Sequence, residues 1–405
     1  MEWVLLPESS GFLLLRPCHK KGMPLRLADY GTLRATVASL LLLWVAAAAP
    51  VYAQSSVPGQ KGQAAVHTVI NLADLARHET EHPSPPGRKR EIPDNDQAPP
   101  DDRIPQVIFV PPGEKGPLLR TRAITVGPAA ISPSTSASFI GGTDDDQFIP
   151  PDTNGAVGPN HAVVMINNGI TVFERTGACL LGCTPRITLD AFWTSTGATI
   201  VFDPHVIYDP YNNRWIISAT SDPQDAASSI LVGVSATSDP TGTWNLFKIT
   251  ADSAGTNWAD YPAMGFNKNW VGLSVNLFTI SNNSFVKASV FAINKADLYA
   301  VSPSLTFTRF DDTSSFTQLP ATTFDNSLST LYLLENYNPN SGGFGYVRVS
   351  TITGTVGSET YTLGPGSCCG TIPGLVRTAN PWAGSPRNGA DFAPEFLREV
   401  VKIAA

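Results

Sequence analysis

Four oxygen-bearing side chains recur ahead of short apolar runs, in Asn154-Gly-Ala-Val, Asp203-Pro-His-Val, Asp260-Tyr-Pro-Ala and Gln318-Leu-Pro-Ala, at offsets of 49, 57 and 58 residues. Carboxylates and amide carbonyls are the ligands a hard cation takes, and calcium wants about six to eight such oxygens. Asn154, Asp203, Asp260 and Gln318 are therefore the candidate metal set, with calcium as the ion and Asp152, Asp209 and Asn267 as further donors. The plainer alternative is that these side chains bond to nearby backbone donors and fix turns. Trp258 and Tyr261 flank Asp260 in a segment that reads as an exposed loop. Rings beside a carboxylate grip carbohydrates and peptides, so Trp258, Asp260, Tyr261 and His161 form the candidate ligand-binding group. The run Asp144-Asp145-Asp146 lacks the spacing and closing glutamate of a calcium loop.

Catalytic chemistry is less clearly written. There is no Gly-x-Ser-x-Gly, no His-Glu-x-x-His and no glycine-rich phosphate loop. Residues 139–380 hold two histidines, His161 and His205, and three glutamates, Glu174, Glu335 and Glu359. A two-carboxylate glycosidase needs its pair roughly 5–10 Å apart, a condition that carboxylates of different repeats could meet but that spacing alone cannot assign. The non-catalytic reading is the simpler one, and no catalytic residue is named.

The elements that would carry these residues are β-strands. The chain has 405 residues, with 33 glycines, 34 prolines and only 15% charged residues, a balance that excludes a coiled coil or long-helix protein. Short β-rich runs alternate with turn signals through 139–380, including Ala162–Ile166, Ile170–Glu174, Arg214–Ala219, Ile230–Ser235, Trp270–Val275 and Ala288–Ile293. Each of the four polar starts is followed by a strand, a polar turn and a second strand, in GPNHAVVMIN, YDPYNNRWIISA, GFNKNWVGLSVN and TFDNSLSTLYLLEN. A period near 50–60 residues with about four strands per unit predicts an all-β propeller of antiparallel blades. Trp215 and Trp270 hold equivalent places in successive repeats and are expected in the cores between blades.

The motifs PPDTNGAVGPNH, DPHVIYDPYNNRW, SDPTGTW and DYPAMGFNKNW resemble a family of secreted bacterial proteins with a sialidase-like β-propeller. The resemblance covers about 139–380 and implies fold and export; the family brings no established activity with it. Thr237–Trp244 is also similar to the Asp-box hairpin of sialidases, with one extra residue between Asp239 and Gly242. Sialidase chemistry would need several arginines, an acid and a tyrosine–glutamate pair, and only six arginines occur in 139–380. Sialidase-like propellers usually have five or six blades. With four visible, either the tail 381–405, where PEFLREVVKIAA reads as an amphipathic helix, caps the last blade, or the ring is incomplete and the chain truncated or frame-shifted there, the favoured expectation.

The N-terminus sets the expected compartment. Residues 37–49 are apolar, follow Arg26 and Arg34, and end at the small-x-small triplet Val51-Tyr52-Ala53. This is the pattern of a secretory signal peptide over 1–53, with Met23 as the expected start, and too short for a spanning helix of about 20 residues. Residues 54–138, with twelve prolines between His82 and Pro133, read as a disordered linker, apart from a short helix near Val66–His78 and an isolated strand at Val107–Val110. Of the four cysteines beyond residue 53, Cys179 and Cys183 are the expected disulfide, while Cys368 and Cys369 are adjacent. A formal charge of −7 leaves no basic footprint for nucleic acid. The expected partner is an extracellular carbohydrate or protein, met at the cell surface or beyond it by a mature chain without a transmembrane segment.

Overall fold

The computed structural model describes residues 56–82, 90–91, 137–143, 148–300, 305–341, 344–363, 374–377 and 400–404, all within one unit, Gln54–Ala405. The signal peptide, the 107–110 strand, Asp144–Asp146, Cys368 and Cys369 lie outside the described residues.

Four antiparallel sheets follow one another along the chain as the blades of a β-propeller. Blade 1 runs outward from Asn154–Val157 through His161–Ile166 and Gly169–Glu174 to Cys179–Leu181. Blade 2 comprises Val201–Asp209, Arg214–Ser221, Ser229–Ser235 and Thr243–Thr250. Blade 3 comprises Asn257–Phe266, Trp270–Thr279, Phe285–Asn294 and Thr306–Asp312. Blade 4 comprises Leu319–Pro320, Leu331–Ser341, Phe344–Thr355 and Ser358–Thr362, with Leu375–Arg377 paired to its third strand. The innermost strands touch in chain order, blade 1 to 2, 2 to 3 and 3 to 4. That is the contact pattern of sheets set around a common axis.

The hydrophobic cores lie between the blades. Val163, Met165, Trp215, Ala219, Leu231 and Trp244 fill the seam between blades 1 and 2, joined by Phe192 and Trp193 from the helix Leu189–Trp193. Thr188 starts that helix by accepting from Ala191 N–H at 3.1 Å. Phe247, Phe266, Val271, Leu273 and Phe291 fill the seam between blades 2 and 3, and Trp270, Val290, Phe310, Leu331, Leu333 and Tyr361 that between blades 3 and 4. Trp215 and Trp270 thus sit in inter-blade cores, both fully buried. Burying one such indole stabilises the fold by up to about 4–6 kcal/mol. The face of blade 4 turned away from blade 3 instead exposes Leu319, Tyr332 and Leu334.

Residues 56–82 correct the linker expectation. Ser56–Val57, Gly59–Gln63 and Val66–Asn71 add an outer strand to blades 4, 3 and 2 in turn, each antiparallel. The helix Leu72–Glu81 follows, capped by Asn71, whose side chain accepts from Asp74 N–H at 3.0 Å. Gly59-Gln-Lys-Gly-Gln63 lacks the alternation of a strand because its contribution is the backbone ladder. A Cβ on Gly62 would lie 2.5 Å from the Phe307 ring, and one on Gly59 2.6 Å from Thr308, so only glycine allows the approach. The tail expectation is corrected as well for 400–404, which form a strand paired with Ser138–Thr143 rather than a helix. Among the described residues no helix is long and apolar enough to cross a membrane.

Candidate functional site

The innermost strands share one local device. Asp152, Asp203, Tyr261 and Thr317 all have φ between 44° and 53–54°, a left-handed conformation that costs a non-glycine residue about 1–3 kcal/mol. Two residues after each, the ladder to the second strand begins or resumes, at Asn154–Met165, His205–Ser218, Ala263–Ser274 and Leu319–Leu334. In blades 2 and 3 the ladder is interrupted at this point, and Pro204 and Pro262 occupy the interruption, where no ladder donor is needed.

This geometry corrects the repeat register. Asp152, Asp203, Tyr261 and Thr317 are the structurally equivalent residues, so Asn154, Asp260 and Gln318 stand two, one and one positions away from where the sequence pattern aligned them. In blades 2, 3 and 4 the preceding blade holds the kink. Asn167 Oδ1 accepts from Asp203 N–H at 2.6 Å, and Asn276 Oδ1 accepts from Thr317 N–H at 2.9 Å. Ser218 Oγ donates to the Pro262 carbonyl at 3.3 Å, and Ser274 Oγ to that of Gln318. Asn167 and Asn276 were missed, although the repeated runs quoted above end in Asn in three cases of four.

At this end of the propeller, here called the mouth, carboxyl groups converge. The Asp203 carboxyl feels the side chains of both Asp260 and Asp152. Asn167 Nδ2 donates to Asp152 Oδ2 at 2.6 Å, and Tyr261 N–H donates to Asp203 Oδ2 at 3.1 Å. Asp203 is enclosed by protein yet keeps partial solvent access, as a group lining a recess does. Burial, and then the neighbouring Asp260 charge, push its carboxyl up to about 8. The pair therefore holds a proton at neutral pH. His205, its imidazole 3.5 Å from Asn154 Nδ2, is pushed down to about 4 by burial and is neutral.

The expected site residues separate into groups. Asp203, Asp260 and Tyr261 meet at the mouth, where Tyr261 is 38% exposed and its ring packs edge-on to His205 at 6.5 Å. Trp258 is fully buried, not exposed: its indole packs against Phe202 and Phe278 beneath the mouth, and its Nε1–H donates to Asn283. A strand, not a loop, carries it, and alternation turns it inward. His161 opens the second strand of blade 1 at the opposite end, with Nε2 3.9 Å from Asp239 Oδ1. Asp239 itself accepts from Thr241 N–H and Oγ–H in the hairpin that resembles an Asp box.

The four candidate cation ligands do not converge on one cage. Asn154 Oδ1 accepts from Val206 N–H at 2.8 Å, while Gln318 is buried and donates to Ser315 and Glu335. Asp209 lies at the far end of its strand, bound to Lys295 and Tyr299, and Asn267 caps Asn269 and Trp270. Among the described residues no three or more His, Cys, Asp or Glu side chains are grouped to hold a metal ion. Away from the mouth, Cys179 and Cys183 are joined in a disulfide across Leu180–Gly182.

No protein-family model matches the chain, and no curated protein does. Among solved structures it is similar to the subtype N11 neuraminidase-like protein of A/flat-faced bat/Peru/033/2010 (H18N11) at 10% identity, covering 52% of this chain and 58% of that one, with a TM-score of 0.30. The endosialidase of phage phi92 matches at 10% identity over 61% and 40%, TM-score 0.31. A GH43 endo-arabinanase from Bacillus licheniformis matches at 12% over 54% and 80%, TM-score 0.28. The chain thus spans 58% of the length of that N11 neuraminidase-like protein. At such identities no residue correspondence carries over.

Proposed function

We propose that this chain works outside the cell as a binding module whose propeller mouth holds an extracellular carbohydrate without cleaving it. The observation that carries the reading is the interacting Asp203–Asp260 pair beside the exposed Tyr261 ring. A protonated carboxyl next to a carboxylate offers a donor and acceptors together, which is what sugar hydroxyls require, and a tyrosine ring offers the apolar face. Hydrolysis asks for something else. The two carboxyls of a retaining or inverting glycosidase stand about 5–9.5 Å apart with substrate or water between them, whereas Asp203 and Asp260 act directly on each other. Export is supported by the apolar run 37–49 and fits the Cys179–Cys183 disulfide.

One observation favours the alternative of a glycoside-cleaving enzyme. Asp203 is protonated at neutral pH, as a general acid must be. A panel of neutral, acidic and amino oligosaccharides, assayed in parallel for binding and for new reducing ends, separates the two. Binding that falls roughly tenfold or more in Asp260→Ala and Tyr261→Ala, with no reducing ends released, is the expected result. Turnover abolished by Asp203→Asn would establish the enzyme instead. Binding by none of the panel would remove both readings.

A further inference from the structure

Beside its apolar core, the seam between blades 3 and 4 holds a group of buried charges. Glu335, on its second strand, is 4% exposed, Arg348, on its third, 3%, and Asp312, at the end of blade 3's outer strand, 3%. Arg348 Nη2 lies 2.7 Å from Glu335 Oε2 and 3.7 Å from Asp312 Oδ2, and its Nε donates to Glu335 at 2.8 Å. Asp312 accepts from Ser314 N–H and Oγ–H and from Ser315 Oγ–H, and Glu335 Oε1 accepts from Phe316 N–H at 2.9 Å. Two buried carboxylates therefore share one guanidinium. Tyr337 and Tyr361 are the other titratable groups that feel Glu335. Gln318 donates to Glu335, and its own buried Oε1 has no hydrogen-bond partner.

We propose that a proton on Glu335 is a working part of the blade 3–blade 4 seam, so that the seam is tight when Glu335 is neutral and loosens when it ionises. With the proton, Arg348 and Asp312 balance one for one, and the carboxylic O–H can turn to the unpaired Gln318 Oε1. Without it, one negative charge is buried in excess. Burial, opposed by Arg348, already pushes the Glu335 carboxyl up to about 7, which places the change in the neutral range. Gln318 follows Thr317, whose N–H is strapped by Asn276, the cross-strand neighbour of Asp260. The seam therefore adjoins the mouth and ties its shape to external pH.

Hydrogen exchange and side-chain amide NMR on the full chain test this, in an Asp203→Asn background that removes the mouth's own titration. Gln318 side-chain resonances should titrate with a midpoint near 7. Exchange across 331–362 should quicken roughly tenfold or more from pH 5.5 to pH 8.5 beyond the intrinsic base catalysis. Glu335→Gln should abolish both changes. Gln318 resonances that stay fixed, or that titrate unchanged in Glu335→Gln, would overturn the proposal. The titration with Glu335 intact decides the matter even if Glu335→Gln fails to fold.

Discussion

The seams of this propeller are built in two ways. Where blade 2 meets blade 1, and blade 3 meets blade 2, the residue following the first post-kink ladder position is Ala219 or Val275, buried among apolar neighbours. Where blade 4 meets blade 3, the same position is Glu335, and Arg348 stands across from it. Apolar contact at these positions gains from area removed from water and does not itself depend on pH. A seam with two carboxylates and one guanidinium is held by partners that must all be present and correctly protonated. The blade 3–blade 4 seam thus adds a buried ionic cluster, at this position, to an apolar core like that of the other seams.

Truncation separates them. Trp215→Ala, in the first seam, removes a fully buried indole whose Nε1–H also donates to the Ser238 carbonyl. It is expected to cost about 3–5 kcal/mol at any pH, measured by denaturant unfolding. Arg348→Met should cost a similar 3–5 kcal/mol at pH 8, because Glu335 and Asp312 are left without their cation. At pH 5.5, where Glu335 takes a proton, that loss should shrink clearly. Equal losses at both pH values would make the charged seam no different from the apolar ones.

The seams' amino acids show what sequence could and could not reveal. Strands buried on both faces were legible because apolar runs such as Ile230–Val234 and Trp270–Val275 stand between turn signals. The blade period was legible from the polar starts. The register was not, since the kink is defined by backbone angle and Asp152, Asp203, Tyr261 and Thr317 share no side-chain type. The outer strand Gly59–Gln63 was invisible because its pairing is all backbone. Of the site, the structure brings together Asp203, expected as a cation ligand, with Tyr261, expected in the ligand-binding group, and Asp260, which stood in both sets. Trp258 was misplaced because an aromatic beside a carboxylate looks the same in sequence whether it faces a ligand or a core. Glu335 and Arg348 were missed as partners because their contact depends on hairpin register alone.

A second pair of predictions concerns pH and the straps. Asp203 titrates at 3.8 as a free carboxyl and about 8 in the fold. The stability tied to its proton is full below about pH 4 and is lost as pH rises through 8. Glu335, raised from 4.5 to about 7, acts in the same sense over a lower window. Above pH 6.5 the neutral His205 adds nothing, so Tm should fall between pH 6.5 and 9, and Asp203→Asn should recover about 5 °C of that loss at pH 9. The smallest effects separate the inner seams from the open face of blade 4. Asn276→Ala should cost about 1–2 kcal/mol by freeing Thr317 N–H. Asn336→Ala, at the equivalent but exposed position, should stay within about 0.5 kcal/mol. A matching loss at Asn336 would mean that it too holds a partner.

The shared proton at the mouth is the claim on which the binding reading stands, and carboxyl NMR reaches it directly. With 13C-labelled aspartate, Asp203 in the wild-type chain should titrate near 8, and its midpoint should move down by about one unit or more when Asp260 becomes Asn. An Asp203 resonance that titrates near 4 in the wild type, unmoved by Asp260→Asn, would mean that no proton is shared and that the mouth is not the site described.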